Sequence, residues 1–191
     1  MTVRLASSIA VLDAVDETDD GDLCRAALAG DRDAFGRLMA RHQPRAMRFA
    51  LRHLRGRLHD AEEVVQDAFL RAYANLAKFD PAKRFTSWLL TIVYRLCIDR
   101  GRRASLRIAR ELTDAVPAAP VERNDDAGQT WAIARQVLPA DSFTALWMTF
   151  VEDMSIAEVA EAIGKTGIAT KVMLHRAKRK LRGALKDGSE Q

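Results

Sequence analysis

The sequence predicts an all-α chain of two small helical domains joined by a flexible linker. Three observations predict it. Apolar residues recur at three-and-four spacing through residues 22–54, 60–76 and 86–102. A helix-turn-helix pattern closes the chain over residues 155–185. Between these blocks, residues 111–128 lose all periodicity and collect Pro117, Pro120, Gly128 and scattered acids. With 191 residues, 48% of them hydrophobic, the chain can bury two modest cores. The expected organisation is an acidic lead (1–20), a first domain (21–106), a linker (107–128), a second domain (129–187) and a short tail (188–191).

Residues 13–22 carry Asp13, Asp16, Glu17, Asp19, Asp20 and Asp22 with no cation, so the opening twenty residues read as a disordered acidic lead. The apolar stretch 5–12 is too short and too polar to span a membrane and has no cleavage-type site after it, which makes the cytoplasm the expected compartment. Leu23, Ala26, Ala27, Phe35, Leu38, Met39, Met47, Phe49, Ala50 and Leu54 then keep helical spacing, interrupted at Gly30-Asp31 and bent or restarted near Pro44.

Asp60 with Glu63 has capping-box spacing and predicts the next helix start. Its buried face is Ala61, Val64, Val65, Ala68, Phe69, Ala72, Tyr73 and Leu76, and Leu70 stands on the otherwise polar opposite side. Asp80-Pro81 ends this pattern, because proline disfavours helix in the residue before it. A loop with Lys83, Arg84 and Phe85 leads into a helix over 86–102, apolar at Trp88, Leu89, Ile92, Val93, Leu96 and Cys97 and closing on Arg100, Gly101, Arg102 and Arg103. Rings beside cations are the ingredients of a single-strand site, where bases stack and cations follow the backbone. Core packing of Trp88, and a basic helix end favoured by its dipole, explain the same residues without a ligand.

In the second half a helix is expected over 129–138, and a second restarts at Pro139 and Asp141 through Phe143, Leu146, Trp147 and Phe150. Ser155 and Glu158 form another capping box, Ile156, Val159, Ala160 and Ile163 the buried face, and Gly164 suits a helix end with positive φ. After Lys165-Thr166 a last helix runs to about residue 185 on Ile168, Leu174, Ala177, Leu181 and Leu185. Lys171, His175, Lys178 and Arg182 form a stripe on it, flanked by Arg176, Arg179, Lys180 and Lys186, with no acid before Asp187. Such a run suits phosphates.

Cys24 and Cys97 lie far apart and read as buried small hydrophobes, and His42, His53, His59 and His175 make no metal-ligand cluster. No catalytic constellation, cofactor motif or small-molecule site is expected.

Residues 60–73 (DAEEVVQDAFLRAY) followed by 85–103 (FTSWLLTIVYRLCIDRGRR) resemble region 2 of bacterial sigma factors, specifically the extracytoplasmic-function group of the sigma-70 family. AGDRDAFGRLMARHQPRAMRFA extends the likeness back to about residue 21, while LPADSFTALWMTFVEDMSIAEVAEAIG and LHRAKRKLR resemble region 4. The resemblance implies a non-enzymatic promoter-specificity subunit of RNA polymerase. It assigns Asp60, Glu62, Glu63, Gln66, Asp67, Leu70 and Arg71 to the clamp helices of the beta-prime subunit. It assigns Lys83, Arg84, Phe85, Thr86, Trp88, Arg95, Arg100, Arg102 and Arg103 to the minus-10 element and its melting. Thr166, Thr170, Lys171, His175, Arg176, Lys178 and Arg179 would face the minus-35 element, in a domain that also meets the beta flap. The family further implies an anti-sigma partner, often membrane-anchored, and a linker that threads the polymerase. Two departures stand out: Arg95 where the family has Asn, and residues 168–173, where only Lys171 is kept from a Gly-Thr-Val-Lys-Ser-Arg-like helix start. Two other functions stay open at this point. A dimeric helix-turn-helix regulator would bind duplex DNA without polymerase, and a sigma-like protein that sequesters a regulator would bind polymerase without supporting transcription.

Overall fold

Aspartates start the first two helices. In the computed structural model, which describes residues 18–111 and 126–187, Asp19 accepts the Gly21 N–H at 2.9 Å and opens α1 (Asp20–Leu28). Asp31 accepts the N–H groups of Asp33 and Ala34 and opens α2 (Arg32–His53). The acidic run therefore ends in structure. Asp20 pairs with Arg41 at 2.7 Å and with His42 at 2.8 Å, tying α1 to α2; residues 13–17 of that run lie outside the described residues. Pro44 neither breaks nor restarts α2, since it faces solvent, where water can serve the carbonyl left without an N–H partner.

The third helix departs from expectation at its start. α3 (Leu58–Ala74) begins at Leu58 with Arg57 as an N-cap that makes no side-chain cap bond, and Asp60 and Glu63 turn instead to Arg100. Its buried face is as read, except that Tyr73 is half exposed and rests edge-on against Phe35. A short 3-10 turn, Leu76–Lys78, and the Asp80 loop lead to α4 (Phe85–Glu111), which runs nine residues past the expected end because Gly101 is followed by a run of helix formers. Phe49, Phe85, Leu23, Leu38, Leu54, Leu89, Leu90, Val64 and Val93 form the centre of this four-helix core.

The second domain holds α5 (Asp126–Val137), α6 (Ala140–Phe150), α7 (Ile156–Ile163) and α8 (Gly167–Asp187). Here the capping box is complete: Ser155 N–H donates to Glu158 at 2.7 Å and Glu158 N–H to Ser155 Oγ at 3.3 Å. Gly164 ends α7 at φ +68°, a left-handed conformation that side chains resist. Ile156 is partly exposed and Ala162 is buried in its place. Trp131, Phe143 and Trp147 pack as one aromatic cluster, with Met148, Val159, Leu174 and Ala177 around them. Helix occupies both ends of the segment read as linker, at Glu111 and Asp126, while Asp114, Pro117, Pro120, Glu122 and Asp125 lie outside the described residues.

The two domains share one continuous apolar core and meet along a seam edged by polar contacts, α4 against α7 and α2 against the α6–α7 connection. Glu152 is its centre: its side chain is 5% exposed and accepts Arg45 Nε at 2.5 Å and Trp147 Nε1 at 2.9 Å. Arg52 lies over the Trp147 ring at 4.4 Å. Asp153, held at φ +52°, turns its carbonyl toward the Arg84 guanidinium (2.6 Å), and the Glu161 carbonyl accepts Arg95 at 3.1 Å.

His53 crosses the same seam. Its Nδ1–H donates to the Phe49 carbonyl at 2.9 Å, and in the neutral ring Nε2 accepts the Thr144 hydroxyl at 3.1 Å. Burial, reinforced by nearby Arg135 and Arg52, pushes its pKa down to about 4 against the pull of the Phe49 bond. The unfolded chain takes up that proton near pH 6.5, so stability present above this value is lost as pH falls toward 4. Between pH 7 and pH 5 the loss is expected to be about 2 kcal/mol. Urea unfolding at the two pH values checks this, and His53→Gln should abolish the difference.

Candidate nucleic-acid and protein interface

The exposed side of α3 carries one of three candidate faces. Glu62, Gln66, Asp67, Leu70 and Arg71 are all exposed, Leu70 at 62%, with Leu58 (57%) and Tyr73 (50%) beside them. An apolar centre ringed by charge is the anatomy of a protein interface. Asp60 and Glu63, expected on this face, point the other way. Arg100 Nε reaches Asp60 at 2.9 Å and its other guanidinium arm pairs with Glu63, while Arg57 joins Asp60 at 3.0 Å. The structure thus brings together residues that the sequence placed on two different ligands, and their carboxylates neutralise a cation expected on DNA.

At the loop before α4, Asp80 accepts the Ala82 N–H at 3.0 Å and folds the chain back, leaving Lys83 exposed. Phe85, expected to capture bases, is only 1% exposed. His42, Phe79 and Trp88 surround its ring at 5.1, 5.6 and 5.7 Å, because as the first residue of α4 it faces inward onto α2. Trp88 is half-buried against Phe79 at 5.0 Å. The Thr86 hydroxyl lies 3.3 Å from His42 Nδ1. Arg84 and Arg95 are exposed but engaged on the seam, whereas Arg102 and Arg103 are exposed about two turns before the end of the helix.

The outer face of α8 is the third. Thr166 caps it, accepting the Ala169 N–H at 3.2 Å, and Lys171, Val172, His175, Arg176 and Arg179 line one open groove. Thr170, expected on DNA, is instead fully buried on the opposite side, its hydroxyl without a hydrogen-bond partner. Lys178 turns from the groove and sets its ammonium over the Phe150 ring at 4.4 Å. Ile168, expected in the core, is 81% exposed.

Sequence reasoning missed the Asp20 pairs with Arg41 and His42, the Arg100 brace and the Glu152 centre. Only the last had a signal: Glu152 is the first charge after the apolar run from Phe143 to Val151. Both thiols are buried, and burial raises Cys24 to about 11 and Cys97 to about 12, which makes them poor nucleophiles. Among the described residues no group of three or more His, Cys, Asp or Glu is placed to hold a metal ion, and no helix is long and apolar enough to cross a membrane.

Comparison with known proteins gives these faces a context. Residues 38–107 match the profile of Sigma-70 region 2, and residues 136–181 that of Sigma-70, region 4. The chain is 33% identical over 168 residues to the ECF RNA polymerase sigma factor SigM of Mycobacterium tuberculosis, across 86% of this chain and 84% of that one. It is 26% identical over 173 residues to the ECF RNA polymerase sigma factor SigW of Bacillus subtilis, across 83% and 92%. The solved structure of CnrH in complex with the cytosolic domain of CnrY is similar to it with a TM-score of 0.62 and 29% identity, covering 89% of this chain and 99% of that one. With both family regions in order on one all-helical chain, and a relative this similar over most of its length, the protein belongs to the extracytoplasmic-function group of the sigma-70 family of RNA polymerase sigma factors.

Proposed function

We propose that each of the three faces serves one step of promoter-specific initiation. The exposed face of α3 docks on the beta-prime clamp helices through Glu62, Gln66, Asp67, Leu70 and Arg71. Lys83, Arg84, Thr86, Trp88, Arg95, Arg102 and Arg103 meet the minus-10 element as it opens, with Phe85 supporting Trp88 from below. Lys171, His175, Arg176 and Arg179 hold the minus-35 element, and the same domain meets the beta flap. Asp60, Glu63 and Arg100 act as a brace between α3 and α4, while Thr166, Thr170 and Lys178 act within the second domain. The protein works in the cytoplasm and is held by an anti-sigma partner, a reading supported by the relative CnrH, whose structure contains the cytosolic domain of CnrY.

The observation that carries the first assignment is Leu70, a large apolar side chain in the open among charges. Leu70→Glu is expected to weaken binding to core RNA polymerase about tenfold or more, the scale of a central interface residue, with an unchanged melting temperature. A pull-down titration with core enzyme checks it; unchanged affinity removes α3 from the contact. Run-off transcription by core enzyme with and without the protein, on fragments of its own genome, tests the whole reading. Specific starts preceded by shared elements support it. Duplex binding without polymerase binding refutes it in favour of an ordinary regulator.

A further inference from the structure

The first two turns of α8 present two apolar side chains to solvent. Ile168 is 81% exposed and Val172 44%. At about 100° per residue, Ile168, Val172, His175 and Arg179 fall within roughly 60° of one another on the helix, opposite buried Thr170, Leu174 and Ala177. Burying either side chain in the domain would have been favourable, yet both stand on the outermost stripe, in line with cations. Nothing else on α8 competes for the same ligand, since no acid occurs from Gly167 to Lys186.

We infer that Ile168 and Val172 determine sequence specificity by packing on thymine 5-methyl groups in the major groove. This rests on α8 being the helix that enters the minus-35 element. The surface is cationic around the apolar pair, which suits a polyanion and disfavours a basic protein. Recognition helices offer their N-terminal residues to base edges, and here those are Ile168 and Val172, with Arg176 and Arg179 further along to reach phosphates. Neither apolar side chain carries a donor or acceptor, so neither can read a base by hydrogen bonding. The thymine methyl is the apolar group that a base presents in that groove. The four-residue spacing advances about 6 Å along the helix, close to two base steps of about 3.4 Å. The element read therefore carries thymine methyls about two steps apart.

The test uses the full chain with core RNA polymerase on run-off templates of a mapped promoter. Each minus-35 thymine is replaced in turn by deoxyuridine, which removes only the methyl group. At one or two positions the apparent affinity is expected to fall about fourfold, the scale of one buried methyl. Ile168→Ser and Val172→Ser should each lose the same factor on the thymine template and be indifferent to uracil at one of those positions. Both side chains are substantially exposed, and a thermal melt confirms that the variants fold. Uracil without effect at every position overturns the inference, as does an element without thymine or a variant still sensitive to uracil. In those cases, continued dependence on Arg179 and on the minus-35 sequence leaves the placement of α8 standing. If Arg179→Ala and replacement of the minus-35 sequence both leave transcription unchanged, the placement itself fails. If Ile168→Ser weakens polymerase binding in the absence of DNA, the pair is a protein contact and the inference is wrong.

Discussion

Phe85→Ala should cost the first domain about 3–5 kcal/mol, the range for deleting a buried ring where neighbours cannot close the void. His42, Phe79 and Trp88 all rest on that ring, and α4 starts at it, so the cavity would sit where α2, the Asp80 loop and α4 join. Urea unfolding followed by tryptophan fluorescence measures the loss, and Phe85→Leu should recover more than half of it. Trp88→Ala offers the contrast. Trp88 is half-buried, so its removal should cost less stability while promoter opening, read by permanganate footprinting, is lost. An unchanged unfolding midpoint for Phe85→Ala would mean that the ring is not a core residue.

Glu152→Ala is expected to cost about 3 kcal/mol, because it strands a buried indole N–H and takes the anion from Arg45. Glu152→Gln keeps an acceptor for Trp147 and loses the ion pair, so it should fall between the two. The pair can be isolated by a double-mutant cycle. Arg45→Ala combined with Glu152→Ala should be less destabilising than the sum of the single changes, by 1 kcal/mol or more on the scale of directly contacting residues. Strict additivity would show that the seam does not depend on this contact. The readouts are thermal unfolding and an energy-transfer distance between labels in the two domains.

Much of this fold was legible in the chain because helix periodicity and capping are local. Ser155, Glu158 and Gly164 did what their spacing implied, since a cap needs nothing from outside its own turn. Asp60 and Glu63 had the same spacing and did otherwise. Arg100, forty residues away, offers two carboxylates a stronger partner than a backbone N–H, and no local rule can see it. Among site residues the exposed charges of α3 and α8 were readable as faces, but inward or outward orientation of single positions was not. Phe85 and Thr170 went inside and Ile168 outside, because one step along a helix turns a side chain by about 100°. The seam was hidden for a different reason. Two of its bonds join guanidinium groups to backbone carbonyls, and a carbonyl has no letter in a sequence.

That choice of acceptors has a consequence for how the molecule can be engaged. Arg84 donates one guanidinium N–H to the Asp153 carbonyl and Arg95 one to the Glu161 carbonyl, so a phosphate gripping either guanidinium by that edge competes for those protons. Occupation of these two arginines by an outside anion and closure of the seam through them therefore exclude each other at those bonds, hydrogen bond for hydrogen bond. By thermodynamic reciprocity, whatever favours the parted domains raises the affinity of that anion by the same factor that the anion favours parting. With Arg84 and Arg95 on the minus-10 element, as we propose, a second ligand that clasps both domains would act on DNA affinity without touching a single nucleotide contact.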